Sequence, residues 1–543
     1  MFFKPKLFST FKDYSAKKLV SDVIAGIIVA IIALPLSIAL AIASGVGPEK
    51  GLYTAIIAGF VISALGGSRV NISGPTAAFA TIVAGIVARE GLDGLVIATI
   101  LAGIILVIMG LLKLGSLIKY IPYTITTGFT AGIAVTIVIG QIKDFLGLTF
   151  GAGVNAVETT EKIEAIIHSI TTFNLEAFIV GVCAVALLIV WPKVSKKIPG
   201  SLIAVLLGAG AVALLGLNVN TIGDLYQISS SFPTPSLPEI SLERVTALIP
   251  DAFTIAILAG IESLLSCVVS DGMIGDRHNS NTELIAQGLG NVASGIFGGI
   301  PATGAIARTA ANVKNGGRSP ISGMVHAVVL LLVLLVLMPL AAYIPMPVIA
   351  AILFIVAYNM SEWRRFVHII KTAEPSEILV LVATFVLTVV FDLVVAIAVG
   401  IVLACVLFMK RMSDEATAES WKYADDIESE SFANIPKEIR VYEMNGPLFF
   451  GASDIIANIT VKGYTKCLVL RMRGVSAIDA TAMNALEGLC DKCAENGITV
   501  VFSHVNKQPL HAMQKAGLYK KVGKENFKPH ITEALARAYE VIG

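Results

Sequence analysis

The chain has 543 residues, of which 55% are hydrophobic and only 15% carry a charge. Because soluble globular proteins carry about 25% charged residues, this composition excludes an ordinary soluble protein and indicates a membrane protein. The formal net charge of +1 argues against nucleic acid as a partner, which would require a clustered basic face.

Charge density divides the chain into four segments. Residues 1–20 are basic and mildly amphipathic and lack the apolar core of a signal peptide, so we expect a cytosolic segment that lies against the membrane surface. Residues 21–411 carry few charges outside short connections and predict a transmembrane transport domain. Residues 412–433 are predicted to be a linker, and residues 434–543 have the length and composition of a cytosolic domain.

Apolar stretches predict about fourteen spans in the transmembrane domain. Several are shorter than the roughly 20 residues that a complete spanning helix needs. The apolar stretch 377–409 is too long for one helix, and we divide it at Asp392, a predicted helix N-cap. The predicted spans lie near residues 21–44, 51–66, 74–88, 92–112, 121–141, 173–191, 201–216, 250–270, 283–298, 304–313, 320–340, 346–360, 376–391 and 393–409.

Positive charges alternate between the two sides of these spans. Lys and Arg residues are enriched in the connections on one side, which by the positive-inside rule is the cytosol. An even number of spans then places both termini in the cytosol, and we expect a multi-pass protein of the plasma (inner) membrane. The residues concerned are Lys113, Lys119, Lys193, Lys196, Lys197, Arg277, Lys314, Arg318, Arg364, Arg365, Lys371, Lys410 and Arg411.

Two halves of the transmembrane domain share a pattern. Tyr-Ile-Pro opens a span at residues 120–122 and again at residues 343–345. Upstream, Pro75 follows Pro35 by 40 residues, and Thr303 follows Glu262 by 41 residues. Seven spans in each half require the second half to enter from the opposite face, so an inverted repeat is predicted.

An interruption recurs in each half of this repeat. Arg-Val-Asn-Ile-Ser-Gly-Pro at residues 69–75 and Gly-Ile-Pro-Ala-Thr-Gly at residues 299–304 each precede a sequence suited to a helix. We expect two half-helices whose N-termini meet near the middle of the membrane, where free N–H groups and helix dipoles favour an anion. Small residues would let the anion approach the backbone, and Arg308 would add a positive charge. The predicted anion-binding residues are Thr76, Ala77, Ala305, Ala307 and Arg308.

Glu262 is an acidic residue in the middle of the predicted span 250–270. An ionised carboxylate is costly inside a membrane unless it binds a proton or pairs with a cation. We therefore interpret Glu262 as a proton acceptor or as one half of an internal ion pair with Arg308. A third interpretation is structural, with the carboxyl group joining two helices by hydrogen bonds.

Motifs along most of the chain resemble one transporter family. They are Ala-Leu-Pro-Leu-Ser-Ile-Ala-Leu-Ala at residues 33–41, Gly-Leu-Tyr-Thr-Ala at 51–55, Ile-Ser-Gly-Pro-Thr-Ala-Ala-Phe at 72–79, Ile-Glu-Ser-Leu-Leu at 261–265, Gly-Leu-Gly-Asn at 288–291 and Ala-Ile-Ala-Arg-Thr-Ala at 305–310. Together they resemble the sulfate permease (SulP) family, which is related to the animal SLC26 anion transporters. Among bacterial branches the chain looks most similar to the proton-coupled C4-dicarboxylate transporters.

The resemblance implies a polytopic α-helical fold of fourteen spans, arranged as a seven-plus-seven inverted repeat with two half-helices. It also implies a homodimer in which a core domain moves against a gate domain like an elevator. The anion would lie beside the first span, where Leu36 stands in place of a polar Gln of some relatives and Leu40 follows one turn on, so that the pocket wall is apolar. Glu262 matches the family's buried acidic position and Arg308 its half-helix arginine. Because sodium-coupled bicarbonate members carry Asp where this chain has Glu262, proton coupling is favoured over sodium.

The C-terminal segment alternates between strand-like and helix-like stretches. Residues 440–445, 467–472 and 498–502 have strand patterns, and residues 481–493 have a helical one. Motifs at residues 446–451 and 475–481 resemble a small α/β STAS domain. Ala480 stands where related domains carry a phosphate-accepting serine, so we expect a partner-binding or dimer-supporting role rather than a phosphoswitch.

The leading hypothesis is a secondary active transporter of a small anion (C4-dicarboxylate, bicarbonate or sulfate) coupled to protons. The alternatives are an anion channel or exchanger without proton coupling, and a nucleobase–proton symporter of the same architecture. A symporter of that kind would lack the STAS-like domain and would not require Arg308. The sequence offers no nucleophile–base pair, phosphate loop or metal cluster, so we predict no enzyme activity, no catalytic residue, no metal and no cofactor other than the coupling proton.

Overall fold

The computed structural model describes residues 3–11, 14–116, 122–151, 156, 158–195, 198–391, 393–420 and 435–543. The chain forms two compact units, Met1–Ile401 and Val402–Gly543. The predicted features at Lys119, Tyr120, Ile121, Lys196, Lys197, Asp392 and most of the predicted linker lie outside the described residues.

The N-terminal unit is almost entirely helical, with two strands of two residues each. The strands are β1 (Ser73–Gly74) and β2 (Thr303–Gly304). The helices are α1 (Lys6–Thr10), α2 (Ala16–Ala43), α3 (Pro48–Leu65), α4 (Ala80–Leu111), α5 (Tyr123–Leu146), α6 (Thr159–Ser169), α7 (Leu175–Val194), α8 (Gly200–Leu215), α9 (Ile222–Leu225), α10 (Leu242–Ile274), α11 (Ser280–Ile296), α12 (Ile306–Lys314), α13 (Pro320–Leu337), α14 (Met346–Ser361), α15 (Trp363–Thr372) and α16 (Pro375–Val390), and α17 (Leu393–Asp414) runs into the second unit.

Each predicted span coincides with a helix or with one arm of a helix. The predicted spans 74–88 and 92–112 are the two arms of α4, which are separated by Gly91 in a conformation (φ 70°, ψ −168°) that favours glycine. Among the described residues, eight helices are long and apolar enough to cross a membrane, and α8 and α16 are shorter apolar helices. The total of fourteen spans stays a prediction.

Packing separates most helices of the N-terminal unit into two groups. The core group consists of α2, α3, α4, α10, α11, α12 and α13; within it α11 packs against α4 and α3, and α13 packs against α3 and α2. The gate group consists of α5, α7, α8, α14 and α16, which pack around α5 and α14. Helix α2 contacts α8 and α14 as well as the core helices, so it joins the two groups.

The C-terminal unit is a five-stranded sheet with helices on both faces. Its strands are β3 (Thr417–Ser420), β4 (Ile439–Asn445), β5 (Cys467–Gly474), β6 (Thr499–Ser503) and β7 (Phe527–Lys528), in that spatial order. Only β3 runs antiparallel to its neighbour. The helices are α18 (Ser453–Ala457), α19 (Ala480–Glu495), α20 (Lys507–Ala516), α21 (Leu518–Val522) and α22 (Ile531–Ile542).

Strand β5 shows why helices cover both faces of this sheet. Leu468, Leu470 and Met472 point to one face and are buried in a core that includes residues of α19, whereas Cys467 and Val469 point to the other and are buried with residues of α22. This is the period of two expected of a strand buried on both sides. The predicted strands and helix are confirmed, and β3 adds an edge strand within the segment predicted to be linker.

Cys490 and Cys493 lie on α19 with buried thiols. Burial raises the pKa of Cys490 to about 12 and that of Cys493 to about 11. A reactive Cys-x-x-Cys pair requires a lowered thiol pKa. Both residues are therefore core residues of the C-terminal unit, and their raised pKa values keep the thiols protonated at neutral pH.

Candidate functional site

The two predicted interruptions meet each other in the N-terminal unit. Strands β1 and β2 pair antiparallel, with Ser73 opposite Gly304 and Gly74 opposite Thr303. The Ala305 N–H donates to the carbonyl oxygen of Ile72 at 2.9 Å. The segments are more than 200 residues apart in the chain, and their pairing satisfies backbone groups that would otherwise be left without partners where each helix is interrupted.

A helix begins immediately after each strand. Thr76 has extended backbone angles and precedes a short turn over Ala77–Phe79 that leads into α4. Ala305 is likewise extended and precedes α12. Among the described residues, no side chain caps either N-terminus, so first-turn N–H groups at both helices are available for an anion.

The glycine on each strand leaves room for the end of a neighbouring polar side chain. A Cβ atom at Gly74 would lie 2.5 Å from Nη1 of Arg308, and one at Gly304 would lie 2.6 Å from Nδ2 of Asn71. Real Cβ contacts are longer than this, so any larger residue would displace Arg308 or Asn71.

Arg308 lies on the first turn of α12 and is 4% exposed. Its Nη2 donates to the carbonyl oxygen of Pro75, so the side chain reaches from one interruption to the other. Its Nη1 is buried, and no hydrogen-bond acceptor for it exists among the described residues. A buried guanidinium with an unsatisfied donor beside two helix N-termini is suited to bind an anion.

Glu262 lies on α10 and is half-buried. Its Oε2 accepts a hydrogen bond from the hydroxyl of Thr76 at 3.1 Å. No Arg308 nitrogen lies within 4.0 Å of this carboxylate among the ion pairs of the described residues, so the two groups make no contact ion pair here. The choice among proton acceptor, ion-pair partner and structural carboxyl group stays a prediction. Both groups thus contact the first interruption: the carboxyl group of Glu262 through Thr76, and the guanidinium of Arg308 through Pro75.

The other predicted site residues differ in exposure. Ala77 and Leu40 are buried, Ala305 and Leu36 are half-buried, and Ala307 is exposed. Helix α2, which carries both leucines, packs against α12. The structure therefore brings Thr76, Glu262 and Arg308 together through the β1–β2 pair, whereas an anion contact for each alanine and leucine stays a prediction.

The sequence interpretation missed a buried polar network centred on Glu283 of α11. This carboxylate is fully buried and accepts hydrogen bonds from the N–H groups of Gly67 (2.8 Å) and Ser68 (3.1 Å), from Asn71 Nδ2 (2.8 Å), and from Ser263 and Gln287. It therefore holds the segment that leads into β1 against α10 and α11. Glu283, Gln287 and Asn291 recur at intervals of four on one helix face, and this pattern is visible in the sequence.

The same network reaches α12. Asn71 Oδ1 accepts from Ser266 (2.8 Å) and from Thr309 (3.0 Å), and Thr309 accepts from the N–H of Ile72 (2.9 Å). Thr309 follows Arg308 in the chain. The position of the guanidinium therefore depends on hydrogen bonds that tie α12 to α10 and to the first interruption.

His326 of α13 was also missed. It is fully buried, and neither ring nitrogen has a hydrogen-bond partner among the described residues. Its Nδ1 lies 4.0 Å from the position that a Cβ atom would occupy at Gly59 of α3, and the carbonyl oxygen of Ser73 lies 3.1 Å from the same point. A single histidine in an apolar span carries no sequence signal that would distinguish it from a core residue.

Both units match known protein families. The model of the sulfate permease family matches residues 19–384, and that of the STAS domain matches residues 433–534. Relatives from several organisms match nearly the whole chain. One, from Bacillus subtilis (strain 168), is described as "Putative sulfate transporter YvdB" and is 41% identical over 532 residues, which cover 96% of this chain and 98% of the relative. Another is the bicarbonate transporter BicA of Picosynechococcus sp., 31% identical over 544 residues, which cover 96% and 95%.

Solved structures show the same architecture. The murine anion transporter Slc26a9 in its inward-facing state superposes with a TM-score of 0.90 over 99% of this chain and 94% of that one, at 19% identity. The transmembrane domain of a cyanobacterial BicA superposes with a TM-score of 0.64 at 32% identity, over 71% of this chain and 98% of that one. The first likeness concerns the fold alone. The predicted α-helical membrane fold with a C-terminal STAS domain is confirmed.

Proposed function

The chain belongs to the sulfate permease family, and from this premise we propose that it is a proton-coupled secondary transporter of a small oxyanion. The family consists of membrane anion transporters rather than enzymes. The observation that carries the proposal is Arg308: its buried Nη1 has no acceptor among the described residues, at the place where two helices begin.

The anion would bind between the N-termini of α4 and α12. The dipoles of both helices and the guanidinium present positive charge to the same point. The guanidinium is planar, so Nη2 can keep its hydrogen bond to the carbonyl oxygen of Pro75 while Nη1 donates to the bound anion. Thr76, Ala77, Ala305 and Ala307 would form the backbone side of the site, and Leu36 and Leu40 its apolar wall.

Glu262 would carry the coupling proton. A monovalent anion that enters this buried site alone would add an uncompensated charge to a region of low dielectric constant. If a monovalent anion enters together with a proton on Glu262, the net charge of the site does not change, and for a divalent anion such as sulfate the proton offsets one of the two charges. The 3.1 Å contact between Glu262 and the hydroxyl of Thr76 places the carboxyl group beside the first residue of the proposed anion site. We propose no sodium ion and no other cofactor.

Alternating access would come from movement of the core group against the gate group. The proposed site lies on α2, α10 and α12 of the core group and on the short segments that precede α4 and α12. The gate helices pack around α5 and α14, and α2 bridges the two groups. An elevator-like displacement of the core group could therefore carry the site across the membrane without dismantling it.

The substrate would be sulfate, bicarbonate or a C4-dicarboxylate. Relatives that match nearly the whole chain are described as sulfate and bicarbonate transporters, which favours an inorganic oxyanion over the dicarboxylate. Family membership and the STAS domain argue against a nucleobase–proton symporter. An anion channel or exchanger without proton coupling remains the competing function within the family.

The arrangement in the cell is also part of the proposal. The distribution of Lys and Arg supports both termini in the cytosol and insertion in the plasma (inner) membrane. The STAS domain, with its own two-sided core, would support a homodimer or bind a cytosolic partner.

Uptake into proteoliposomes tests this function. Labelled sulfate, bicarbonate and fumarate would each be offered with and without an inward proton gradient. We expect one of them to accumulate above its external concentration only when the gradient is present. Equilibration without accumulation would identify a channel or exchanger, and uptake of none of the three would overturn the proposed substrate class.

A further inference from the structure

Helix α15 (Trp363–Thr372) differs from the other helices that connect spans. It joins α14 to α16, and none of its ten residues is buried. Its sequence Trp-Arg-Arg-Phe-Val-His-Ile-Ile-Lys-Thr separates into three faces when it is placed on a helix of 3.6 residues per turn. Each face has a different chemical character.

The first face attaches α15 to the gate group. The ring of Phe366 lies 5.3 Å from the ring of Phe385 on α16. Helix α15 also contacts α5, and Arg365 lies over the ring of Tyr123 at 5.3 Å while it pairs with Glu362 at 2.7 Å. These contacts fix the rotation of the helix about its axis, and they therefore fix what the other two faces present.

The second face is apolar and exposed. Trp363, Val367 and Ile370 are spaced i, i+4 and i+7, so they form one stripe. Their exposures are 47%, 37% and 41%. This stripe lies next to spanning helices rather than on a surface remote from them, since the residues that attach α15 contact α5 and α16.

The third face is basic. Arg364, His368 and Lys371 have the same spacing of i, i+4 and i+7 and are exposed. Among the described residues, neither Arg364 nor Lys371 pairs with a carboxylate, and Arg364 lies 5.5 Å from the centre of the Trp363 ring. The basic stripe therefore adjoins the apolar stripe along the length of the helix.

We propose that α15 lies flat in the headgroup region of the bilayer and binds anionic phospholipid headgroups through Arg364 and Lys371. A helix with a tryptophan-containing apolar stripe beside a basic stripe is suited to this position, because the apolar side chains enter the acyl boundary while the cations stay among the headgroups. Cations at an anionic membrane surface attract its lipids. The connection between α14 and α16 is proposed to lie on the cytosolic side, and the cytosolic leaflet is the one that is rich in anionic lipids.

Lipid charge would thereby act on the gate group. The headgroups would hold α15, and α15 holds α16 and α5 through Phe366, Phe385 and Tyr123. The proposal depends on the chain spanning a membrane and on the side of the membrane that α15 occupies. It does not depend on proton coupling or on the identity of the anion, so it can fail while the proposed function stands.

Tryptophan quenching tests the proposal directly. The chain has three tryptophans, and replacing Trp191 and Trp421 with phenylalanine leaves Trp363 as the only tryptophan in the full-length protein. This protein would be reconstituted in phosphatidylcholine vesicles that contain a minor fraction of phosphatidylglycerol, with bromine placed either on the acyl chains of the first lipid or on those of the second. We expect quenching by the brominated phosphatidylcholine, and quenching by the brominated phosphatidylglycerol that exceeds the value expected from its mole fraction.

The double variant Arg364→Gln/Lys371→Gln separates the two parts of the proposal. It should keep the quenching by phosphatidylcholine and lose the enrichment of phosphatidylglycerol, by about fivefold for each cation removed. Lys492→Gln/Lys515→Gln, which removes two exposed charges from the C-terminal unit, should change neither. Emission from Trp363 that no brominated lipid quenches would show that water, another protein or a second copy covers α15. Equal quenching in proportion to mole fraction would overturn the selectivity for anionic lipid.

Discussion

Arg308 donates a hydrogen bond to the carbonyl oxygen of Pro75, a residue 233 positions earlier in the chain. The bond joins the first turn of α12 to the interruption that precedes α4. It uses only one side of the guanidinium and leaves Nη1 without an acceptor among the described residues. The positive charge at the proposed site thus lies on α12, and the segment that precedes α4 fixes its position.

Replacing Arg308 with alanine should weaken anion binding by about tenfold to a hundredfold, since hydrogen bonds to charged groups contribute about 1.5–3 kcal/mol. Lysine should restore only part of the affinity, because a single ammonium group cannot hold the carbonyl oxygen of Pro75 and present a second fixed donor. Thermal shift against sulfate, bicarbonate and fumarate measures the effect. Arg277→Ala, at an exposed position, is the matched control. An Arg308→Ala protein with parental affinity would remove this residue from the site.

Replacing Glu262 with glutamine should abolish accumulation driven by a proton gradient and preserve anion binding. Glutamine keeps an acceptor for the hydroxyl of Thr76 but cannot exchange a proton. Uptake into proteoliposomes with an inward proton gradient, compared with binding by thermal shift, separates the two effects. Glu243→Gln, on the exposed first turn of the same helix, should behave as the parent. Parental accumulation by Glu262→Gln would leave Glu262 with a structural role only.

Replacing Glu283 with alanine should destabilise the N-terminal unit more than any other single change at an acidic residue discussed above. The N–H groups of Gly67 and Ser68 and the amide of Asn71 would lose a buried acceptor. Each unsatisfied buried donor costs about 1–3 kcal/mol, so we expect a loss of at least about 3 kcal/mol. The apparent midpoint of thermal unfolding measures this loss, with Glu243→Ala as the control. Equal midpoints for the two variants would contradict the central role of the Glu283 network.

Asp276, in the connection between α10 and α11, should make the attachment of the N-terminal segment depend on pH. Partial burial raises the pKa of this carboxyl group, but hydrogen bonds from the Arg277 N–H and from Lys6, together with the charges of Lys6 and Arg69, outweigh it and hold the pKa below its usual range. A lowered pKa in the folded state means that the stabilisation is present at neutral pH and is lost as the pH falls below the usual aspartate value of about 3.9.

The difference in unfolding temperature between the parent and Asp276→Asn should therefore be largest near neutral pH and should vanish in acid. Thermal unfolding at a series of pH values measures it. Asp93→Asn, at an exposed position of α4 two residues after Gly91, should show no such convergence. A difference between the parent and Asp276→Asn that stays constant with pH would show that the charge of Asp276 does not contribute.

Removing residues 415–543 should leave a membrane unit that still binds anion. All residues of the proposed site precede the division between Ile401 and Val402, and the C-terminal unit has hydrophobic cores of its own. The cut falls before β3 because this strand pairs with β4 in the C-terminal sheet. Thermal shift measures anion binding, and gel filtration measures the oligomeric state, which the deletion could alter. A folded truncation that binds no anion would assign part of the site to the C-terminal unit.

Local patterns in the sequence were sufficient to determine much of this protein. Apolar length identified the spanning helices, and alternation identified β4, β5 and β6, because both signals depend on neighbouring residues alone. The interruptions at Pro75 and Thr303 were visible for the same reason, since glycine and proline change the backbone where they stand. An acid in an apolar span and an arginine after a helix break are likewise conspicuous, so Glu262 and Arg308 could be selected without coordinates.

Only the tertiary structure decided which groups meet. The contacts of Arg308 with Pro75, of Thr76 with Glu262 and of Glu283 with Gly67 join residues that are 186 to 233 positions apart, and no local pattern specifies such pairings. Glu262 and Arg308 illustrate this limit: opposite charges in apolar spans suggested a pair, but the hydrogen-bond partners are Thr76 for Glu262 and the carbonyl oxygen of Pro75 for Arg308. The direction of the basic stripe on α15 could not be predicted from the sequence for the same reason. It depends on the rotation of the helix about its axis, which the packing of Phe366 on Phe385 determines.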